Sequence, residues 1–328
     1  MLAVLGVDVR AQVLQTTTAT RKIALSNNYA GNAWRQAMLK DWAVVAKQAQ
    51  VGGKVAAAPS FTTAENQVTE QAQQIQNLIL QGYNAIVIDA ASPTALNGVI
   101  RQACAAGVVV VSYDGTVTEP CAYRVSFDFR GWGEQEADYL GKRLGGKGNI
   151  LEVRGLAGVS VDEEIHQGLI NGLKRYPGVK IVASVNGNWT QTVAQKAVAG
   201  VLPTLPTIDG VATQGDDGFG TAEAFRAAGR TMPVIVLGNR YDELKWWKGQ
   251  AASGYTTTSV SNPPGGVTAA FWVAQQALAG AKMPKDIQVP LLAVTQDTLD
   301  ATLAKMQPGG VSDTAFTVDQ TMSMVNRK

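Results

Sequence analysis

The stretch GVVVVSYDGTV, residues 107–117, sets four consecutive valines ahead of a polar strand end and a glycine. Valine is β-branched and favours extended backbone. An apolar run without alternation has no solvent-facing side, so as a strand it must be covered on both faces, as in a parallel sheet flanked by helices. AIVIDA (85–90) and VIVLG (234–238) read the same way. In such sheets the carboxyl ends of the strands open onto a crevice, so Asp89 and Asp114, which close two of these runs, are candidates to face a ligand.

Outward from these runs, expected strands near 22–27, 54–58, 84–89 and 107–113 alternate with helices near 33–50, 64–81 and 93–106. A second series places strands near 148–153, 179–185, 208–213 and 233–237 and helices near 129–145, 160–175, 190–202 and 217–229. The βαβ rhythm, run twice, predicts an α/β protein of two doubly wound parallel-sheet domains. A surplus unit follows: a helix opened by Pro263 and Pro264, one strand in DIQVPLLAV (286–294), and a helix near 296–306. It is expected to return to the first domain.

With 328 residues, 46% of them apolar and 16% charged, the chain can bury a large core, and its length favours two domains. A formal net charge of +2 without a Lys/Arg cluster gives no footprint for nucleic acid or an anionic membrane. Residues 1–20 read as a residual signal peptide with Val9-Arg10-Ala11 as a cleavage site, or else as a flexible extension. Cys104 and Cys121 follow a helix and the next strand. A bridge between them would argue for an oxidising compartment, and two unrelated thiols is the alternative. Neither lies near the N-terminus to carry a lipid anchor.

The order and spacing of KIALSNNYAGNAWR (22–35), NAIVIDAASPTAL (84–96), GVVVVSYDGTV, GDDGFGTAEAF (215–225) and VIVLGN (234–239) resemble the sugar-binding type I periplasmic binding proteins, the ribose-binding protein family, over roughly residues 21–306. The resemblance implies two α/β lobes joined by three chain crossings, here near 126, 260 and 295, that close around one small ligand. The lobes would comprise 21–126 plus 260–294 and 127–259 plus 295–328. It further implies a soluble, monomeric periplasmic receptor that delivers a monosaccharide or polyol to an ABC transporter permease, without a cofactor.

Carried onto this chain, the first-loop position of the family falls on Asn32, Trp34 and Arg35. Arg35 departs from an all-aromatic pattern and suggests a ligand with an extra acceptor or a different ring size. Asp89 and Asp114 would grip hydroxyls. Where many relatives follow the second aspartate with arginine, this chain has Gly115, which leaves that pair without its donor. Trp189 in NGNWTQ would cover the opposite face of the sugar from Trp34. Glu163 stands where ribose binders use arginine, so ribose specificity does not transfer, and Ser160 with Glu163 also forms a capping box. Asp216 or Asp217, Asn239 or Arg240, and Arg154 complete the expected rim.

Catalysis has little support. His166 is the only histidine. It falls within a helical pattern without a nucleophile motif and reads as a solvated helix residue. No dinucleotide or nucleotide fingerprint and no Cys/His metal cluster occurs. A Rossmann-like enzyme, a transcription regulator and a receptor feeding a chemotaxis or kinase partner are the competing classes. The regulator would need a helix-turn-helix ahead of Lys22.

Overall fold

A computed structural model describes residues 13–14, 16–64 and 67–326. Most of the proposed leader, residues 1–12 and 15, lies outside the described residues. The first series runs β1 (Ile23–Asn27), α1 (Ala33–Val51), β2 (Ser60–Thr62), α2 (Val68–Leu80), β3 (Ala85–Asp89), α3 (Asn97–Ala105), β4 (Val109–Tyr113) and β5 (Tyr123–Phe127). The second runs α4 (Phe129–Arg143), β6 (Lys147–Arg154), α5 (Ser160–Leu173), β7 (Gly178–Asn186), α6 (Gln191–Val201), β8 (Gly210–Thr213), α7 (Gly218–Ala227), β9 (Val234–Ile235) and α8 (Tyr241–Ala251). The chain ends in β10 (Ser259–Ser261), α9 (Gly266–Leu278), β11 (Asp286–Val289), β12 (Leu292–Val294), α10 (Leu299–Leu303) and α11 (Val318–Val325).

The strands form an all-parallel six-stranded sheet, β11-β5-β4-β3-β1-β2, and an all-parallel four-stranded sheet, β7-β6-β8-β9. An antiparallel pair, β10-β12, joins the second sheet where Leu237 bridges to Ser259. Val110 and Val111 point to opposite faces of β4 and both are buried, as the unbroken apolar run requires. Each such side chain contributes about 1.5–3 kcal/mol on burial.

Two expected strands are placed differently. The run at 54–58 bonds to β1 through the carbonyls of Ala57 and Pro59, but the regular strand begins only at Ser60. Pro59 has no N–H with which to continue the ladder. DIQVPLLAV is two strands rather than one. Pro290 ends β11, which pairs with β5 in the first sheet, and β12 turns to β10 beside the second.

The chain passes between the lobes after β5, after β10 and at Pro290-Leu291. It then crosses once more. The expectation assigned all of 295–328 to the second lobe, whereas α11 packs against α9 and β11 of the first and only α10 packs on α8. Between them, Ser312 exchanges hydrogen bonds with Asn239 (2.8 and 2.7 Å) and Asp313 accepts from the Gly265 amide (2.6 Å), so this strap ties the lobes together. The apolar core of the first lobe continues across the seam through Phe127, Phe129 and Trp132.

Cys104 and Cys121 are disulfide-bonded, with Cα atoms 6.4 Å apart. The bridge fastens the end of α3 to the loop before β5.

Candidate functional site

A cavity opens between the lobes at the carboxyl ends of both sheets. Its volume is about 40 Å³. The first lobe supplies Asn32, Trp34, Arg35 and Asp114, and the second supplies Trp132, Val161, Trp189, Gln214, Gly215, Asp216 and Asn239. Ser261 and Asn262, at the second crossing, close one side.

Asn32 caps α1, its Oδ1 accepting from the Arg35 amide at 2.8 Å. The cap fixes where the first turn of α1 starts and thereby aims Trp34 and Arg35. The guanidinium of Arg35 pairs with Asp89 and lies 3.5 Å from Asp114 Oδ2. Its centre sits 5.0 Å from the Trp34 ring. Trp34 in turn stacks on Tyr113, with ring centroids 6.3 Å apart and planes 13° from parallel. Burial lowers the Arg35 pKa, with Asp114 acting against it. Burial also raises that of Asp114, against Arg35 and the Asn262 hydrogen bond.

This arrangement accounts for Gly115. The resemblance leads to an expected donor after Asp114, and here Arg35 on α1 stands between the two carboxylates. A Cβ at residue 115 would lie 2.8 Å from the Ala90 carbonyl and 2.9 Å from Asp89 Oδ1, so the strand end closes over the ion pair only with glycine there. Asp89, expected to grip the ligand, is fully buried and does not line the cavity. It holds Arg35 from behind.

Among the described residues, non-glycine positive φ occurs at Asp114 (57°), Asn188 (55°), Trp189 (52°) and Asp216 (57°), and three of the four line the cavity. Asp and Asn tolerate this region, but for tryptophan it is an outlier, of the kind that collects at binding sites. The Trp189 ring lies over Gly155, where a Cβ would come within 2.2 Å of it. Local backbone and a missing side chain together place that ring opposite the first lobe.

Asp216 is 3% exposed and its Oδ2 has no hydrogen-bond partner. Burial pushes its pKa to about 7, against Arg240 and with Asp242. Asp217 is also buried, raised well above the carboxylate range by burial and by Asp216 and Glu243, but it does not line the cavity. Glu243 is raised to about 8, by burial first, and accepts from the Gly218 amide at 2.6 Å.

Three expected rim residues are engaged elsewhere. Arg154 forms a two-pronged pair with Asp162 (3.1 and 2.7 Å) and reaches Glu163 at 3.2 Å, and neither Arg154 nor Glu163 lines the cavity. Arg240 bonds Asp242 at the start of α8, which leaves Asn239 as the cavity residue of that loop. His166 is not solvated as expected but half-buried, its Nδ1 2.7 Å from Glu152.

Trp132, Gln214, Gly215, Ser261 and Asn262 were not singled out in the sequence. Trp132 reads as an ordinary core residue of a helix. Gln214 and Gly215 adjoin the Asp216 already marked. Asn262 precedes Pro263-Pro264 at a crossing, and that position was the available signal: its Nδ2 donates to Asp114 Oδ1 at 2.7 Å and its carbonyl accepts from Trp34 Nε1 at 2.9 Å.

Residues 23–282 match the profile of the periplasmic binding protein domain. The xylitol-binding protein of Mycolicibacterium smegmatis is 30% identical over 247 residues, 74% of this chain and 70% of that protein. The ribose import binding protein of Bacillus subtilis is 26% identical over 235 residues, 71% of this chain and 75% of that protein. Among solved structures, an ABC transporter solute binding protein from Thermobispora bispora superimposes with a TM-score of 0.88 at 36% identity, covering 93% of this chain and 95% of that one. Two parallel-sheet lobes about one cavity, and a profile match from β1 to beyond α9, place this chain in the periplasmic binding protein domain family.

Proposed function

We propose that this protein is the solute-binding receptor of an ABC importer and that it captures a monosaccharide or polyol between its lobes. The observation that carries this reading is the pairing of tryptophans from opposite lobes, Trp34 and Trp189, on one cavity whose polar groups include Arg35, Asp114, Asp216 and Asn239. Aromatic faces cover the C–H surfaces of a sugar, and charged and amide groups satisfy its hydroxyls. Arg35 is the only Lys or Arg lining the cavity among the described residues, and carboxylates already face it. A neutral ligand therefore fits better than an acidic one. The sugar and polyol named for the two curated relatives belong to this class.

The family is periplasmic, and among the described residues no helix is long and apolar enough to cross a membrane. The receptor would act as a monomer in the periplasm after removal of its leader, return its ligand unchanged, and hand it to a permease in the closed form. Closure about the crossings follows because a ligand held by both walls stabilises their approach. Titration calorimetry with xylitol, D-ribose, L-arabinose and D-glucuronate tests the reading. Binding of a neutral member and none of the uronate is expected. Preference for the uronate, or silence from every neutral sugar and polyol tried, would contradict it.

A further inference from the structure

Trp132 and Glu136 lie one turn apart on α4 and are both buried, 2% and 1% exposed. The Trp132 Nε1–H donates to Glu136 Oε1 at 2.9 Å. The far edge of the same ring lies against Gly215, where a Cβ would stand 3.4 Å from it. Trp132 and Gly215 both line the cavity, whereas Glu136 does not. Phe129 packs beside the indole, with centroids 6.4 Å apart.

A buried carboxyl costs free energy that an apolar residue of similar size would not. Burial pushes the Glu136 pKa well above the carboxylate range, the indole hydrogen bond opposes that rise, and Glu152 adds to it. What leucine could not supply is an acceptor for Nε1, and without one the buried indole N–H is unpaired.

We infer that Glu136 is a positioning residue for ligand recognition, one that fixes the Trp132 ring at its N–H edge so that the indole forms a rigid wall of the sugar cavity. The inference rests on reading the cavity as a sugar site, but the hydrogen bond itself can be tested without ligand. A rigid wall lowers the ordering cost of binding, and this is how a residue outside the cavity alters affinity.

The test compares Glu136→Gln, which keeps an acceptor, with Glu136→Leu, which does not. In 15N spectra of the ligand-free protein, with the Trp132 indole assigned through Trp132→Phe, the Gln variant should keep the resonance and its slow hydrogen exchange. The Leu variant should shift it and speed exchange. Whichever of xylitol and D-ribose binds the parent should bind the Leu variant about tenfold more weakly and the Gln variant within about twofold of the parent. Glu136→Leu should add no further loss on a Trp132→Phe background. Should the Leu variant not fold, Glu136→Met serves in its place. An unmoved indole resonance with unchanged exchange, or an equal affinity loss on the Trp132→Phe background, overturns the inference. Failure of both sugars to bind the parent would count against the sugar reading, and the indole spectra would still decide the role of Glu136.

Discussion

Asn262 Nδ2 donates to Asp114 Oδ1 at 2.7 Å, across 148 positions of sequence. One residue of the second crossing thus holds a carboxylate that faces the cavity, and through its carbonyl it also holds Trp34. The crossing is part of the cavity wall, so hinge and site are built from shared residues.

Asp89 is the first place where this geometry changes what a substitution should do. A carboxylate that touched only ligand could be removed without cost to the empty protein. Asp89 instead neutralises a buried guanidinium, and breaking a buried pair by removing one partner costs about 3–5 kcal/mol. Asp89→Ala should therefore lower both the melting temperature of the ligand-free protein and its affinity. A melting temperature equal to the parent's in differential scanning calorimetry would refute the role given to Asp89.

Stability should fall as pH rises through neutrality. The folded-state pKa of Asp216 is raised to about 7 and that of Glu243 to about 8. Each carboxyl therefore binds its proton more tightly folded than unfolded, and the unfolded chain releases it near pH 4. Between about pH 4 and those folded values the native state holds more protons, so unfolding free energy declines with pH, by up to about 1.4 kcal/mol per unit for each group. Urea unfolding at pH 5, 6, 7 and 8 measures the slope, and Asp216→Asn should flatten it. An upward slope, or no change on substitution, would count against the assignment.

The Cys104–Cys121 bridge spans a sequence separation of 17, for which the chain-entropy model gives about 3 kcal/mol. It lies outside the cavity, so Cys104→Ala with Cys121→Ala should lose stability of that order and leave affinity unchanged. Thiol titration of the denatured, unreduced parent should find no free thiol. Two titratable thiols would exclude the bridge.

Much of the fold was legible because it rests on runs such as VVVVSYD, whose lack of alternation leaves few other readings. The two misplaced strands sit at prolines. Pro59 delays β2, and Pro290 splits one apolar run between two sheets, which periodicity alone does not reveal. In the site, strand-end residues were legible as positions but not as partnerships. Asp89 and Asp114 both close apolar strands, yet only tertiary placement puts Arg35 between them. Arg154 finds Asp162 eight residues on, in the first turn of the helix that follows its own strand, and is spent there. Trp132 was hidden because a tryptophan among helix residues carries no mark that separates cavity wall from core.

The central claim is that one sugar or polyol lies between Trp34 of the first lobe and Trp189 of the second. Calorimetric titration of the parent, Trp34→Ala and Trp189→Ala with the neutral ligand that the parent binds tests it most directly. A ligand face stripped of its aromatic cover and left beside an enlarged cavity should weaken binding by about ten- to a hundredfold in each variant, at 1:1 stoichiometry. Parent-like affinity in both variants, with both folded, would contradict the account.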